Sequence, residues 1–343
     1  MSNPTTTAAP SAPTPDVIFN ELTAFQRSSA MKAAIELDIF TAIGEGNKIA
    51  AAVARRCRAS ERGARILCDY LAVNGFLTKI GNEYGLAPAA AAFLDKRSPG
   101  YMGSVAGFLQ TPDMMNAFAQ LADAVRKGTT PLPQEGSISA ENPLWVQFAR
   151  DMAPMMAMPA QQLAQMINGS SKEPIKVLDI AAGHGLYGLA FAQLNPAAKV
   201  VGLDWANVLE VAKENARKMG VESRYSTIPG SAFDVPLGSD YDVILLTNFL
   251  HHFDPPTNEK LLKKVRAALK PTGRAVTLEF IPNPDRISPP MAAGFSLIML
   301  ANTPAGDAYT FAELEKMFRA AGFSRNTLHD LPMSPGRVVV SQA

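Results

Sequence analysis

Long apolar runs are missing from this 343-residue chain, and so is any surplus of charge of one sign. The nearest approach to a membrane span, Met291 to Ala301, is about half the ~20 residues that crossing a bilayer requires. Two cysteines, Cys57 and Cys68, make no disulfide framework, and no CxxC pair suggests zinc. A basic stretch followed by an apolar one is absent from the N-terminus, so no secretory signal is read there. Lys and Arg number 32 against 31 Asp and Glu, a net charge of +1, where a nucleic-acid-binding protein usually shows a basic excess. What is present is apolar: hydrophobic residues make up 47%, too many for a disordered chain. A cytoplasmic globular protein of about two domains, at roughly 150 residues each, is the expectation.

Residues 1–15 carry four prolines and no charge, and are expected to be a disordered tail. From Asp16 the spacing of Phe19, Leu22, Phe25, Ala30, Ala33, Ala34, Leu37 and Phe40 predicts helix. Further helices are expected around Ile49–Arg56 and over Ser60–Val73, the latter with Ser60 as cap and Glu61 in its first turn. Two short extended pieces follow, Phe76–Ile80 and Tyr84–Ala87. Three helices and a hairpin are the order of a winged helix, expected over 16–100. Such folds often bind DNA, but these first hundred residues hold 11 basic and 9 acidic side chains. Phosphate neutralisation has little to draw on, so dimerisation is the favoured use.

Residues 101–170 read as helical, broken at Pro112, near Thr130–Pro133 and at Pro143. Trp145, Phe148, Met152, Met155, Met156 and Met158 fall here, either as core or as an adaptable apolar wall over a small-molecule pocket. From 171 to 343 strands and helices alternate. Strands are expected at Ile175–Ile180, Lys199–Leu203, Tyr241–Thr247 and Arg274–Ile281. Helices are expected at Tyr187–Leu194, Asn207–Met219, Thr257–Leu269 and Thr310–Ala321. The alternation implies a doubly wound parallel sheet, an α/β fold. Ser324–Leu331 and Arg337–Ser341 are expected to form an antiparallel edge hairpin.

The first of these strands runs into Asp179-Ile180-Ala181-Ala182-Gly183-His184-Gly185. Small residues at a strand-to-helix turn let a ligand approach the backbone closely. The loop lacks the GxGxxG spacing of a dinucleotide site and the GK[ST] ending of a phosphate loop, which favours a nucleoside without phosphates. The next strand ends in Asp204, whose carboxylate suits either a helix cap or a ribose diol. The pairing with DIAAGHG upstream favours the ribose.

VLDIAAGHG, VVGLDW, the Gly230-Ser231-Ala232-Phe233 turn, LLTNFLHHF and GRAVTLEFIP, in that order, resemble the motifs of class I S-adenosylmethionine-dependent methyltransferases. With its N-terminal region the chain resembles the dimeric small-molecule O-methyltransferases of the caffeate, acetylserotonin and hydroxyneurosporene type. That resemblance implies a Rossmann-like domain behind a winged-helix dimerisation domain. It assigns S-adenosylmethionine to Asp179, Ala181, Gly183, Gly185, Asp204 (ribose), Trp205 (beside adenine), Ser231, Ala232 and Phe233, with Phe148 and Met152 covering it. Ser231 stands where the family usually has an acidic residue for the adenine amine.

The same resemblance places a general base at His251 and the carboxylate that orients it at Glu279. Chemically, an imidazole titrates near neutrality and suits removal of a hydroxyl proton. Two structural readings compete: many class I methyltransferases carry LHHF without using either histidine, and a strand-end Glu is often satisfied by backbone. His252 stands where the family has Asp. A second flanking carboxylate is expected near residue 308, which is Ala308; only Asp307, displaced by one, remains to replace it. Met155, His252, Met299, Asn302 and Tyr309 are the expected acceptor contacts, Met299–Asn302 lying in a helix. His184 is expected to be a loop residue and His329 an exposed one, and no metal site is expected. The resulting expectation is a homodimeric methyltransferase acting on a hydroxyl of a small, mostly apolar acceptor. Methylation of a thiol or an activated carbon acid is the alternative, with a cofactor-sensing winged-helix regulator as the non-enzymatic one.

Overall fold

The computed structural model describes residues 14–133, 135–169, 171–332 and 334–343. The tail expected over 1–15 therefore lies, up to residue 13, outside the described residues. The chain divides into two compact units, 1–103 and 104–343.

The first unit contains α1 (Asp16–Leu22), α2 (Ala24–Glu36), α3 (Ile39–Gly44), α4 (Ala50–Cys57), α5 (Glu61–Val73), the hairpin β1 (Leu77–Ile80) and β2 (Glu83–Leu86), and α6 (Pro88–Phe93). The periodic stretch from Asp16 to Phe40 is not one helix. The Thr23 hydroxyl bonds back to the Phe19 carbonyl at 2.7 Å where α1 ends. Asp38, at φ 60°, turns the chain left-handed between α2 and α3. Ser60 caps α5 as expected, accepting from Gly63 N–H at 3.1 Å. Phe40, Ile39, Val53, Cys68, Leu71 and Tyr84 close the core of this unit. Burial pushes the Cys68 thiol up to about 12, so it packs as an inert apolar group.

The second unit opens with α7 (Val105–Leu109), α8 (Pro112–Ala119), α9 (Leu121–Lys127), α10 (Leu144–Asp151) and α11 (Ala153–Asn168). Alternation follows: β3 (Ile175–Ile180), α12 (Leu186–Leu194), β4 (Ala198–Asp204), α13 (Ala206–Lys218), β5 (Tyr225–Pro229), β6 (Tyr241–Thr247), α14 (Pro255–Ala268), β7 (Leu269–Glu279), α15 (Pro290–Asn302), α16 (Phe311–Ala320), β8 (Arg325–Asp330) and β9 (Arg337–Gln342). The seven strands stand in the order β5-β4-β3-β6-β7-β9-β8. β3 to β7 pair in parallel, while β9 is antiparallel to both β7 and β8.

Side chains of a strand alternate between faces, and here each set feeds a different core. Leu178, Ile180, Ile244 and Leu246 pack under Leu261, Leu262 and Val265 of α14 and Leu314 and Phe318 of α16. Val177, Val243, Leu245 and Val276 pack on the other side against α11 and α12, through Met156, Leu163, Leu189 and Phe191. Both faces are thus covered, as a parallel sheet requires. Among the described residues no helix is long and apolar enough to cross a membrane.

Candidate active site

In a doubly wound sheet the crevice for ligands lies beyond the carboxyl ends of the strands, where the chain order reverses. Here that point is between β3 and β6. The expected site motifs of the sheet cluster at the ends of β3, β4, β5, β6 and β7.

Beyond β3, Ala181, Gly183 and Gly185 all take positive φ (54°, 56° and 75°). Gly185 is fixed by packing as well as by φ, because a Cβ there would lie 2.9 Å from the Ala212 Cβ of α13. The Gly183 N–H donates to the Asp204 carboxylate at 2.8 Å, tying the glycine loop to the end of β4. The second Asp204 oxygen accepts from Trp205 N–H at 2.7 Å. Burial pushes the Asp204 carboxyl up to about 6. Trp205 immediately precedes α13 and packs against the cluster of Ala149, Val208 and Val211.

Asp179, expected to contact the cofactor, ends β3 on the inward face of the sheet. It is fully buried beneath α12, where one oxygen accepts the Gly188 N–H at 2.9 Å and the other has no partner. Burial pushes its carboxyl up to about 8. One oxygen thus anchors the first turn of the helix, while the other is not engaged by the protein. His184 is a loop residue but an inward one. Its Nδ1 accepts Leu186 N–H at 3.1 Å, and burial pushes the imidazole down to about 4. Phe148 lies over this loop, stacked on His184 with ring centroids 6.3 Å apart. Met152 and Met156 are buried in the core, and Met155 packs at its margin. His329 is exposed, within 2.9 Å of the Thr327 hydroxyl.

After β5, Ser231 closes a turn, its hydroxyl accepting Phe233 N–H at 3.2 Å. Ala232 is buried, and the Phe233 ring packs edge-on against Phe253 at 4.9 Å.

β6 runs into a single tight turn, Leu250–His252, and β7 ends at Glu279 beside it. One Glu279 oxygen accepts the N–H groups of Phe249 (2.9 Å) and Leu250 (2.8 Å). The other meets His251 Nδ1 at 2.5 Å, with both side chains buried. Both competing readings of Glu279 therefore describe one carboxylate: it satisfies backbone and holds the imidazole. Gly306 comes so close to this turn that a Cβ would lie 2.3 Å from the His251 carbonyl. The His251 carbonyl in turn accepts Asp307 N–H at 2.9 Å. Asp307 does not supply the second carboxylate, since its side chain turns to Arg286 (3.4 Å) and to the Ala308 N–H (2.8 Å).

His252 packs 4.2 Å from His251 between ring centroids and meets Trp145 edge to face at 5.2 Å. Burial and the neighbouring His251 hold it well below the ordinary histidine range, so it stays neutral. Its Nδ1 is buried without a partner. Trp145 and Phe295 were not singled out as site residues from sequence, although Trp145 stood in the Met-rich stretch. Phe295 covers His251 at 4.8 Å and stacks on Phe280 at 4.0 Å. Trp145 donates to the Ser137 carbonyl (2.9 Å), and Ser137 donates to the Asn302 carbonyl at the end of α15 (3.0 Å). Asn302 and Tyr309 act as braces. The Asn302 amide donates to Ile298 O (2.9 Å) and the Tyr309 hydroxyl to Phe253 O (2.6 Å). Met299 is buried about one turn before Asn302.

A carboxylate bound to a glycine loop, with no lysine or arginine in that loop, fits a nucleoside with a diol and no phosphate. Together with a buried His–Glu pair at the neighbouring strand ends, this donor set is that of an S-adenosylmethionine-dependent methyltransferase. The comparisons with known proteins agree. Residues 118–324 match the O-methyltransferase domain family and residues 19–96 the O-methyltransferase dimerisation domain family. The chain belongs to the O-methyltransferases built from these two domains. It is 28% identical to the 3-hydroxy-5-methyl-1-naphthoate 3-O-methyltransferase of Streptomyces sahachiroi, over 90% of each chain. Its identity to the mouse acetylserotonin O-methyltransferase is also 28%, over 88% of this chain and 81% of that one. A crystallised Nostoc punctiforme protein assigned as an O-methyltransferase superposes with a TM-score of 0.94 at 55% identity, covering 97% of this chain and all 100% of that one. Human N-acetylserotonin methyltransferase, crystallised with S-adenosylmethionine, shares the fold at a TM-score of 0.84 and 22% identity, over 98% and 99% of the two chains. The protein is an enzyme that uses S-adenosylmethionine for O-methyl transfer to a small molecule.

Proposed function

We propose that His251 is the general base, held by Glu279, and that the acceptor is a hydroxyl on a small, mostly apolar ring system. The 2.5 Å contact between His251 Nδ1 and Glu279 carries this reading. With its other oxygen fixed by two backbone N–H groups, Glu279 has one orientation, and it keeps the His251 proton on Nδ1. Nε2 then offers its lone pair to the acceptor. Bound S-adenosylmethionine supplies a methyl on a sulfonium, open to in-line displacement by the acceptor oxygen. His251 Nε2 would take the hydroxyl proton as the methyl passes from sulfur to oxygen and S-adenosylhomocysteine leaves, and Glu279 would stabilise the resulting imidazolium. Asp204 would hold the ribose diol, Ala181, Gly183 and Gly185 the methionine moiety, and Ser231–Phe233 with Trp205 the adenine. Phe148 and Met152 would shield the cofactor. Trp145, His252 and Phe295 wall the acceptor, with Met155 and Met299 behind. The two curated relatives are named for a hydroxynaphthoate and for acetylserotonin.

Homodimerisation through the first unit belongs to the same proposal. Val17, Ile18, Phe19, Leu22 and Phe25 are each more than 60% exposed on α1 and the start of α2, an apolar face suited to a second copy.

One observation favours a second reading. With Ala308 at the second carboxylate position and Asp307 drawn to Arg286, the base has one acidic partner rather than two. An acceptor that loses its proton readily, a thiol or an activated carbon acid, asks less of such a base. Incubation with methyl-labelled S-adenosylmethionine and a panel of phenols, alcohols, thiols and keto acids, read by product mass, separates the two. Label on a hydroxyl oxygen is expected; label on sulfur or carbon alone would overturn the hydroxyl assignment.

A further inference from the structure

Lys264 stands on α14, outside every group given a role above. Its ammonium donates to three carbonyls of one loop: Ala232 (2.9 Å), Phe233 (2.8 Å) and Val235 (2.7 Å). An ammonium has three N–H donors, and this geometry commits all of them to the segment after β5. Among the described residues no carboxylate pairs with Lys264, so its charge serves neutral backbone alone. Within the loop, the Ser231 hydroxyl accepts Phe233 N–H, and the Ser231 carbonyl accepts the N–H groups of Asp234 and Val235, both at 3.0 Å. The Gly230 N–H bonds the Asp204 carbonyl at 2.9 Å, joining the same loop to the end of β4. The Phe233 ring then rests on Phe253 and Phe249. The loop is thus pinned by an internal turn, by ring packing and by one cation reaching across from α14.

We propose that Lys264 is a positioning residue of the cofactor site, holding 231–235 in the shape that receives the adenine ring. The proposal rests on the adenine placement at Ser231–Phe233 given above. With serine rather than a carboxylate facing the adenine amine, recognition there depends on where the backbone and the Ser231 hydroxyl stand. Without the ammonium, three carbonyls that converge on one point lose their common partner, and the turn relaxes.

The test is calorimetric binding of S-adenosylhomocysteine, and of its inosine counterpart in which the adenine amine is replaced, to the full-length protein. Wild type, Lys264→Met and Lys263→Met are compared, Lys263 being an exposed neighbour on the same helix that controls for loss of charge. Lys264→Met is expected to weaken S-adenosylhomocysteine at least tenfold, about 1.4 kcal/mol. It should also shrink the preference for adenine over hypoxanthine towards unity, while Lys263→Met stays within twofold of wild type. Should the methionine variant fail to fold, Lys264→Arg replaces it. A planar guanidinium does not reproduce three converging N–H bonds, so the same loss of base preference is expected at smaller size. Unchanged binding, or both ligands weakened by an equal factor, would overturn the proposal, since general loosening does not distinguish the two bases. A wild-type protein that binds both ligands equally would instead refute the adenine placement itself, and the proposal with it.

Discussion

Replacing Glu279 probes the site at its most constrained atom set. Glu279→Ala strips partners from the N–H groups of Phe249 and Leu250 and from His251 Nδ1 in a buried corner. An unsatisfied buried donor costs about 1–3 kcal/mol, so the three together cost about 3–9 kcal/mol. Set against a typical domain stability of about 5–15 kcal/mol, that is a large loss. Glu279→Gln behaves differently. Its amide oxygen still accepts both backbone N–H groups, so stability falls by only about 1 kcal/mol. Its NH2, however, now faces His251 Nδ1 and drives the ring proton to Nε2. The lone pair needed for proton removal is lost, and a general base is worth about 100- to 10,000-fold in rate. Urea unfolding followed by tryptophan fluorescence reports the stability, since the chain's two tryptophans, Trp145 and Trp205, both lie in the second unit. Long-range 1H–15N correlation reports the His251 tautomer, and turnover reports the rate. Equal destabilisation of the two variants would refute the hydrogen-bond argument. A wild-type His251 carrying its proton on Nε2, or full turnover in Glu279→Gln, would refute the tautomer argument.

Buried Asp179 makes the ligand-free protein pH-sensitive. Its carboxyl is pushed up to about 8 in the fold against roughly 3.9 unfolded, so the folded state binds the proton more tightly. That stabilisation is complete below about pH 4 and is lost as pH rises towards 8. Asp204 has the same sign but is exhausted near pH 6, whereas His184 and His252, held neutral in the fold, have the opposite sign around pH 6.5. Comparing urea midpoints of wild type with those of Asp179→Asn at pH 6.5 and 8 therefore isolates Asp179. Asp179→Asn should flatten the decline, and an identical slope would contradict the reading. Gly185→Ala sets a Cβ into a left-handed residue and against Ala212. A cost of about 2–3 kcal/mol lowers Tm by roughly 4–12 °C in a calorimeter, and an unchanged Tm would refute it. Charging the exposed face by Phe19→Asp with Leu22→Asp should convert a dimer into a 36.6 kDa monomer by light scattering. A dimer that persists would place the interface elsewhere.

Elements with strong local signals were legible from sequence, and those that depend on distant partners were not. β3 and β6 are short, mostly apolar and β-branched runs between turn residues, and their bounds agree with the reading of the bare chain. β5 was missed because it is an edge strand, half-exposed and ending in Pro229, with no apolar run to mark it. α15 was anticipated only near Met299–Asn302. It carries apolar and small residues on every side, and so lacks a helical period. The His251–Glu279 pair was legible because one residue ends a strand and the other lies in the turn just beyond one, each in a recognisable motif. The fate of Asp307 was not, since the Arg286 that draws it away lies in a different loop. The same holds for Trp145 over His252, a contact between helix and strand end that no local pattern encodes. Asp179 carries a second duty that its motif position does not reveal: the strand's inward face puts the carboxyl under α12, where one oxygen accepts the Gly188 N–H.

The central claim is that His251, fixed by Glu279, removes the acceptor proton during methyl transfer. Single-turnover rates of wild type and His251→Ala, with S-adenosylmethionine saturating and a hydroxyl acceptor drawn from the panel, test it most directly. The account predicts a fall of about 100- to 10,000-fold in the variant. Equal rates in the two proteins would contradict it.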